Sequence, residues 1–231
     1  IEVAYKENII LNLSSFDDVE HIESFYLKNK VSPKYHLKFD TGMTRLGFDL
    51  NDAEAIYESL SESLHPFIEG VYTHFATADE GDLSYAKKQL SDFKMVVRKV
   101  ESFGLKFKFI HCSNSGAVLN LKKSYFKMVR VGMLLYGALP SNEVIDNIGI
   151  KPVMSFCGSI VNVRKVKKNT PVSYGGVYKT ASDTNIAVIQ TGFADGFPRP
   201  WFENGYVIYN GEKFKIAGRV CMDQLMIDLG D

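Results

Sequence analysis

From residue 9 to about residue 135, short apolar runs alternate with segments of helical period, and this alternation is what most narrows the fold. Strand, helix and next strand in that order make parallel β-α units, with the crossover helices covering the sheet. The runs that read as strands are NIILNLS, KYHLKFD, FIEGVYTHF, FKFIHCS and FKMVRVG. Between them, SFDDVEHIESFYLKNK offers Ser15 as a helix cap with acids in the first turn, and NDAEAIYESLSES offers Asn51. Residues 83–103 form a long amphipathic stretch, and NSGAVLNLKKS has room for a small helix. A parallel barrel closes with about eight such units. About three more, at roughly 30 residues each, are therefore expected ahead of Ile1, where the sequence opens without a methionine.

From about Pro152 the pattern changes. VMSFCGSIVNVRKVKK, NIAVIQTGF, GYVIYNGEKFKIAG and LMIDLG are strand-like and separated by Gly, Asn and Pro turns, with no convincing helix. Asn210-Gly211 suits a tight hairpin turn, since both residues tolerate a positive φ. The expected organisation is an α/β chain in which residues 1–148 form the C-terminal part of a (β/α)8 barrel and residues 149–231 form a β-rich domain.

Charge and cysteine usage exclude several classes of function. Lys+Arg and Asp+Glu are both 27, so the formal net charge of zero leaves no footprint for nucleic acid or an anionic membrane. No apolar run reaches the ~18 residues of a membrane span. Cys112, Cys157 and Cys221 lie far apart without Cys-x-x-Cys spacing, which fits free thiols in the cytoplasm better than disulfides or a zinc site.

In a β/α barrel the C-terminal strand ends form the active-site rim. Here those ends deliver Lys38 and Asp40, then His74, then Ser113, Asn114 and Ser115, then Arg130. Taken singly, His74 reads as well as a satisfied core histidine, and Arg130 as a surface or capping cation. Their joint placement favours a site. Ser115-Gly116 opens a helix and Gly132 follows Arg130, a pairing suited to an anion such as phosphate. Arg45 lies one loop from Lys38, where its guanidinium could fork onto a carboxylate or pair with Asp40. Tyr174, between Ser173 and two glycines in PVSYGGVY, is packing or a base, and a phenol of ordinary pKa ~10 needs nearby cations for the second role. Met222-Asp223 forms a polar break before a strand, and QTGFADGFPRPW has the composition of a loop lining a mouth.

Together the stretches HLKFDTGMTRLGF, GVYTHFATADE, HCSNSGAVL, VRVGMLLYGALP, PVSYGGVY, TGFADGFPRPW and AGRVCMDQLMIDLGD resemble the alanine racemase family, enzymes of fold type III that use pyridoxal 5'-phosphate (PLP). Several motifs in the right order are far more specific than any one of them. The resemblance implies a (β/α)8 barrel, a C-terminal β domain, and a cytoplasmic homodimer sharing residues between its active sites. It further implies interconversion of L- and D-alanine, with D-alanine supplied to cell-wall peptidoglycan.

By the same resemblance, Lys38 matches a lysine that is often carbamylated and that orients Arg45, which assists the cofactor oxygen and the substrate carboxylate. Ser115 with the backbone of Gly132 and Met133 matches the phosphate cradle, and Asn114 lies beside the ring. Arg130 matches the arginine facing the pyridine nitrogen. His74 bridges it to a tyrosine of the other subunit, here Tyr174, one of the two bases. Met222 offers its backbone N–H to the substrate carboxylate beside Asp223, while Arg219, Arg199 and Asp79 match the substrate corridor. An arginine keeps its proton, so the ring nitrogen stays unprotonated and reprotonation at the α-carbon is favoured over transamination.

The sequence also departs from the family. Nothing in it matches the lysine that links covalently to the cofactor, so the chain alone is expected to be inactive. Phe193 stands where the family commonly has tyrosine. A serine or broad-specificity racemase and a non-catalytic PLP-binding module remain as other readings.

Overall fold

Side-chain alternation decides which face of each strand is buried. In the run from Tyr35 to Phe39, Tyr35, Leu37 and Phe39 are fully buried, while His36 and Lys38 point to the opposite face. The computed structural model describes residues 1–144 and 148–230. Asp231, the last residue of the AGRVCMDQLMIDLGD motif, lies outside the described residues. The chain divides into two compact units, Ile1–Met154 and Ser155–Asp231.

The first unit holds a parallel sheet in the order β1 (Leu11–Leu13), β2 (Tyr35–Lys38), β3 (Ile68–Tyr72) and β4 (Phe109–His111). Its helices are α1 (Glu2–Lys6), α2 (Phe16–Asn29), α3 (Ala53–Ser59), α4 (Ser84–Ser102) and α5 (Ser115–Asn120). This is an arc of a β/α barrel, as the alternation predicts. Ser15 caps α2 through a reciprocal pair: its Oγ accepts from the Asp18 amide at 3.2 Å, and the Asp18 carboxylate accepts from the Ser15 amide at 3.1 Å. The long stretch is α4, whose buried Ala86, Leu90, Phe93, Val97 and Val100 recur at helical spacing. They join Leu37, Phe39, Val71 and Phe75 in one core under the sheet, where each fully buried large apolar side chain contributes ~1.5–3 kcal/mol.

Two expectations fail in this unit. FKMVRVG does not become a strand: it keeps one parallel bridge, Met128 to His111, and the Arg130 amide donates to the Ser113 carbonyl at 2.8 Å. Phe126 has φ 44° and is exposed along with Val129, so the run lacks both the extended backbone and the buried face of a strand. Asn51 does not cap α3. It sits inside a 3-10 turn, Leu50–Asp52, whose reciprocal cap is made by Asp49 and Asp52.

The second unit is antiparallel. β8 (Thr184–Ile189) lies between β5 (Ile160–Val166) and β11 (Leu225–Asp228); β6 (Pro171–Val172) pairs with β7 (Tyr178–Lys179), and β9 (Tyr206–Tyr209) with β10 (Glu212–Lys215). Ala187, Ile189, Ile216, Val220, Leu225 and Ile227 form its core. The Asn210-Gly211 turn has the expected positive φ values, 50° and 85°. Of VMSFCGSIVNVRKVKK only the second half pairs as a strand, and residues 153–159 are exposed.

Candidate functional site

The lumen face of the first unit carries the polar residues that the strand alternation leaves over. They line a cleft of about 410 Å³ with Asn12 from β1, His36 and Lys38 from β2, Tyr72 and His74 at the end of β3, His111 from β4, and Arg45 and Arg130 from the following loops. The lining contains three permanent or near-permanent cations and no carboxylate among the described residues.

Arg130 is the fixed point of this cleft. One Nη donates to His111 Nδ1; the other donates to the Thr73 carbonyl at 2.8 Å and reaches His74 Nδ1 at 3.3 Å. Its guanidinium also lies over the Tyr72 ring, 4.9 Å from the centroid. Removal from water, with Arg130 alongside, pushes His111 down to about 3 and His74 down to about 4, so both are neutral at physiological pH. Thus Arg130 is neither a surface nor a capping cation, and His74 is an acceptor for it.

Lys38 is almost fully buried, and burial with the Arg45 charge lowers its pKa. Arg45 rides an exposed loop whose ends are fastened: the Asp40 amide donates to the Phe48 carbonyl and the Phe48 amide to the Lys38 carbonyl, each at 2.9 Å. Asp40 Oδ1 accepts from the Gly42 and Met43 amides at 2.8 Å, which folds the loop tip back. Gly47 closes the loop at φ 129°, where a Cβ would stand 2.6 Å from the Asp40 nitrogen.

Beyond β4, the Asn114 carbonyl oxygen Oδ1 caps α5 by accepting from the Ala117 amide at 3.0 Å, and its Nδ2 donates to the Phe75 carbonyl at 3.3 Å. Asn114 is therefore the cap, and Ser115-Gly116 opens the helix as expected. Ser115 is buried, and its Oγ accepts from the Gly132 amide at 3.0 Å, tying the end of β4 to the turn that continues through Met133. Among the described residues, its two chain neighbours aside, no atom lies within 4 Å of the place where a Cβ on Gly132 would stand, so the turn faces open space. Asp79 lies in the loop after β3, its carbonyl accepting from Ser141 Oγ.

In the second unit the candidate residues gather at one loop cluster. Tyr174 is exposed in a 3-10 turn between β6 and β7. Ser173 Oγ donates to the Arg219 carbonyl at 2.5 Å, and the Phe193 and Ala194 amides donate to the Cys221 and Met222 carbonyls at 3.0 and 2.8 Å. The Arg199 guanidinium lies over the Phe193 ring at 5.5 Å. Tyr174, Arg219, Met222, Asp223, Phe193 and Arg199 thus share the end of one β domain, although they are far apart in sequence.

Sequence reasoning missed His36, Tyr72, Gln89 and His111. Tyr72 stacks on His111 at 4.8 Å with planes 9° apart. Buried Gln89 accepts from the Ala76 amide at 2.9 Å and donates to the His74 carbonyl at 3.2 Å, anchoring the end of β3. The signal available in the sequence is the period of two, which puts His36 on the same face of β2 as Lys38.

The profile of the family described as "Alanine racemase, N-terminal domain" matches residues 1–140, and that of "Alanine racemase, C-terminal domain" matches residues 153–231. The alanine racemase of Desulforamulus reducens is 39% identical over 230 residues, 98% of this chain and 62% of that protein. The crystal structure of the alanine racemase from Bacillus anthracis with bound L-Ala-P superposes with TM-score 0.84 at 35% identity, covering 99% of this chain and 60% of that one. The Bartonella henselae alanine racemase, solved with covalently bound pyridoxal phosphate, gives TM-score 0.81 at 27% identity, covering 100% and 62%. The chain therefore spans about three fifths of the length of the proteins it matches.

Proposed function

The chain belongs to the alanine racemase family, and on that premise we propose that it is part of a PLP-dependent racemase interconverting L- and D-alanine. The observation that carries the reading is Arg130: a guanidinium held by His111, His74 and Thr73 in a cleft lined by cations and an aromatic ring, without a carboxylate. That donor set fits a pyridine ring bearing an anionic group. The open space at Gly132 fits close approach of a phosphate.

Ser115 would hold the phosphate by donating its hydroxyl, with the Met133 amide and with the Gly132 amide once that N–H turns from the Ser115 Oγ it now meets at 3.0 Å. α5 is only six residues long, so its dipole adds little. Arg130 would offer an N–H, never an acceptor, to the ring nitrogen. PLP, when bound, supplies a sink for the electron pair left when an amino acid loses its α-hydrogen. An arginine at the nitrogen keeps that sink shallow, so the proton returns to the α-carbon.

Arg45 would pair with the substrate carboxylate, joined by the Met222 amide beside Asp223. Tyr174, from the second subunit of a homodimer, would hold and return a proton at its phenolic oxygen, with His74 linking it to Arg130. Lys38 serves Arg45. A lysine whose amine is favoured by neighbouring cations can take up carbon dioxide, releasing one proton and becoming a carbamate anion that pairs with them. Asp79, Arg199 and Arg219 would line the approach. Product D-alanine would enter peptidoglycan, and the enzyme would act in the cytoplasm.

The test follows exchange of the α-hydrogen of each alanine enantiomer in deuterated water, with PLP bound, in residues 1–231 alone and in a protein that joins them to a barrel segment carrying the cofactor-linking lysine. The lysine-bearing protein should exchange and interconvert both enantiomers, Tyr174→Phe in it should abolish exchange from one of them first, and residues 1–231 alone should show no exchange above background. A lysine-bearing protein that binds the cofactor without exchanging either enantiomer would overturn the reading.

A further inference from the structure

We infer that His36 is a positioning residue for Arg130, acting through His111 by a one-directional chain of hydrogen bonds that crosses the sheet. The consequence for catalysis rests on the reading of Arg130 as the residue facing the cofactor ring; the chain of hydrogen bonds itself does not.

The direction follows from donor chemistry. Arginine can only donate, so the His111 Nδ1 that meets Arg130 is bare and the His111 proton sits on Nε2. His111 Nε2 lies 2.9 Å from His36 Nδ1, which must accept, so the His36 proton is on Nε2 as well. His36 Nε2 is buried and has no hydrogen-bond partner among the described residues. A buried polar group left in this state calls for a reason, and the guanidinium supplies it: the order imposed at Arg130 leaves the last N–H without an acceptor among the described residues.

The sheet is built to let the two rings meet. His36 is on β2 and His111 on β4, with β3 between them. At the level of His36, β3 presents Gly70, the register partner of both His36 and Phe109. A Cβ there would lie 2.7 Å from His36 Nε2 and Cδ2 and 2.8 Å from the Phe109 carbonyl oxygen. The missing side chain is the passage through which the His36 ring leans across β3. One level up, Tyr72 stacks on His111 and donates its hydroxyl to Asn12 Oδ1 at 2.8 Å, which fixes the plane of the ring. The charged or titratable groups facing the pair are Arg130, Tyr72 and Glu69. Burial and Arg130 both act against a second proton on either ring.

The experiment is a long-range proton–nitrogen correlation spectrum of the protein with isotope-labelled histidine and arginine, followed between about pH 5 and pH 8, where an ordinary imidazole titrates. His36 and His111 should both show a bare Nδ1 and a protonated Nε2 throughout, with separate, slowly rotating Nη signals from Arg130. In His36→Leu those Nη signals should merge. His36→Asn, whose amide oxygen can accept from His111 Nε2, should restore them, and Gly70→Ala should merge them again by displacing the ring. A protonated Nδ1 on either histidine of the unsubstituted protein overturns the inference, as do Arg130 signals unchanged in His36→Leu. The first spectrum needs no substitution, so it decides even where a variant fails to fold. None of the spectra contains cofactor, so a failed cofactor titration would overturn the reading of Arg130 and leave this assignment standing, and wrong tautomers would do the reverse.

Discussion

Mild acid should weaken the first unit before carboxylates begin to titrate. His74 and His111 titrate at about 4 and about 3 in the folded protein, against 6.5 for the free imidazole, because both are out of water beside Arg130. A folded pKa below the unfolded one means that the unfolded chain binds more protons between the two values. Stability therefore rises with pH through that window and is lost as pH falls from about 6.5. At ~1.4 kcal/mol per pH unit and proton, acidifying from about pH 7.5 to about pH 5 costs ~2 kcal/mol for each histidine, or ~4 for the pair. Water reaching the cleft reduces this, and about half, ~2 kcal/mol, is the expected loss. Glu69, Asp18 and Asp228 have lowered pKa values, so their stabilisation is present above the unfolded values of 4.5 and 3.8 and is lost only at pH values below the range, from about 7.5 to about 5, of the histidine loss.

The two units can be followed separately. All five histidines and all described α-helices lie in Ile1–Met154, whereas Trp201, the single tryptophan, lies in Ser155–Asp231. Urea denaturation at constant salt should show the far-ultraviolet helix signal losing stability between about pH 7.5 and pH 5, with no matching histidine slope in the Trp201 fluorescence. Equal helix stability at both pH values would refute the reasoning, as would the same pH dependence in both signals.

Phe93 is fully buried and meets Phe126 edge-on at 5.8 Å, so Phe93→Ala should cost ~3–5 kcal/mol in the helix transition, and a loss below ~1 would contradict the assigned core. Gly211→Val places a branched side chain at φ 85° and should cost ~1–2 kcal/mol in the Trp201 transition; an unchanged midpoint would contradict the turn geometry. Ser115→Ala removes a hydrogen bond proposed to reach a charged phosphate, worth ~1.5–3 kcal/mol. Binding of pyridoxamine 5'-phosphate should weaken by about tenfold to a hundredfold, and unaltered binding would remove Ser115 from the cradle.

The periodicity made most of the fold legible. Ser15, the stretch from Leu83 to Phe103 and Asn210-Gly211 behave as local chemistry dictates, because each depends on neighbours a few residues away. FKMVRVG has the composition of a strand, but Phe126 and Val129 find no burial, and a strand without a packed face has little to hold it. That Lys38, Arg45, His74 and Arg130 line one cleft was legible because their strand order brings them to one rim. His36 and His111 were not. Their roles depend on contacts across β3 through the gap at Gly70, and no spacing along one strand encodes a contact between its two neighbours. The cluster that gathers Tyr174 with Arg219 and Met222 is of the same kind, assembled by loops distant in sequence.

The most direct test of the account is a fluorescence titration of the protein with pyridoxamine 5'-phosphate, which needs no covalent link, beside pyridoxamine lacking the phosphate. Saturable binding of one ligand per chain, at least about tenfold weaker without the phosphate, is the expected result. Absence of saturation, or equal affinity for the two ligands, would contradict a cleft built around Arg130 and Ser115 to hold a phosphorylated pyridine.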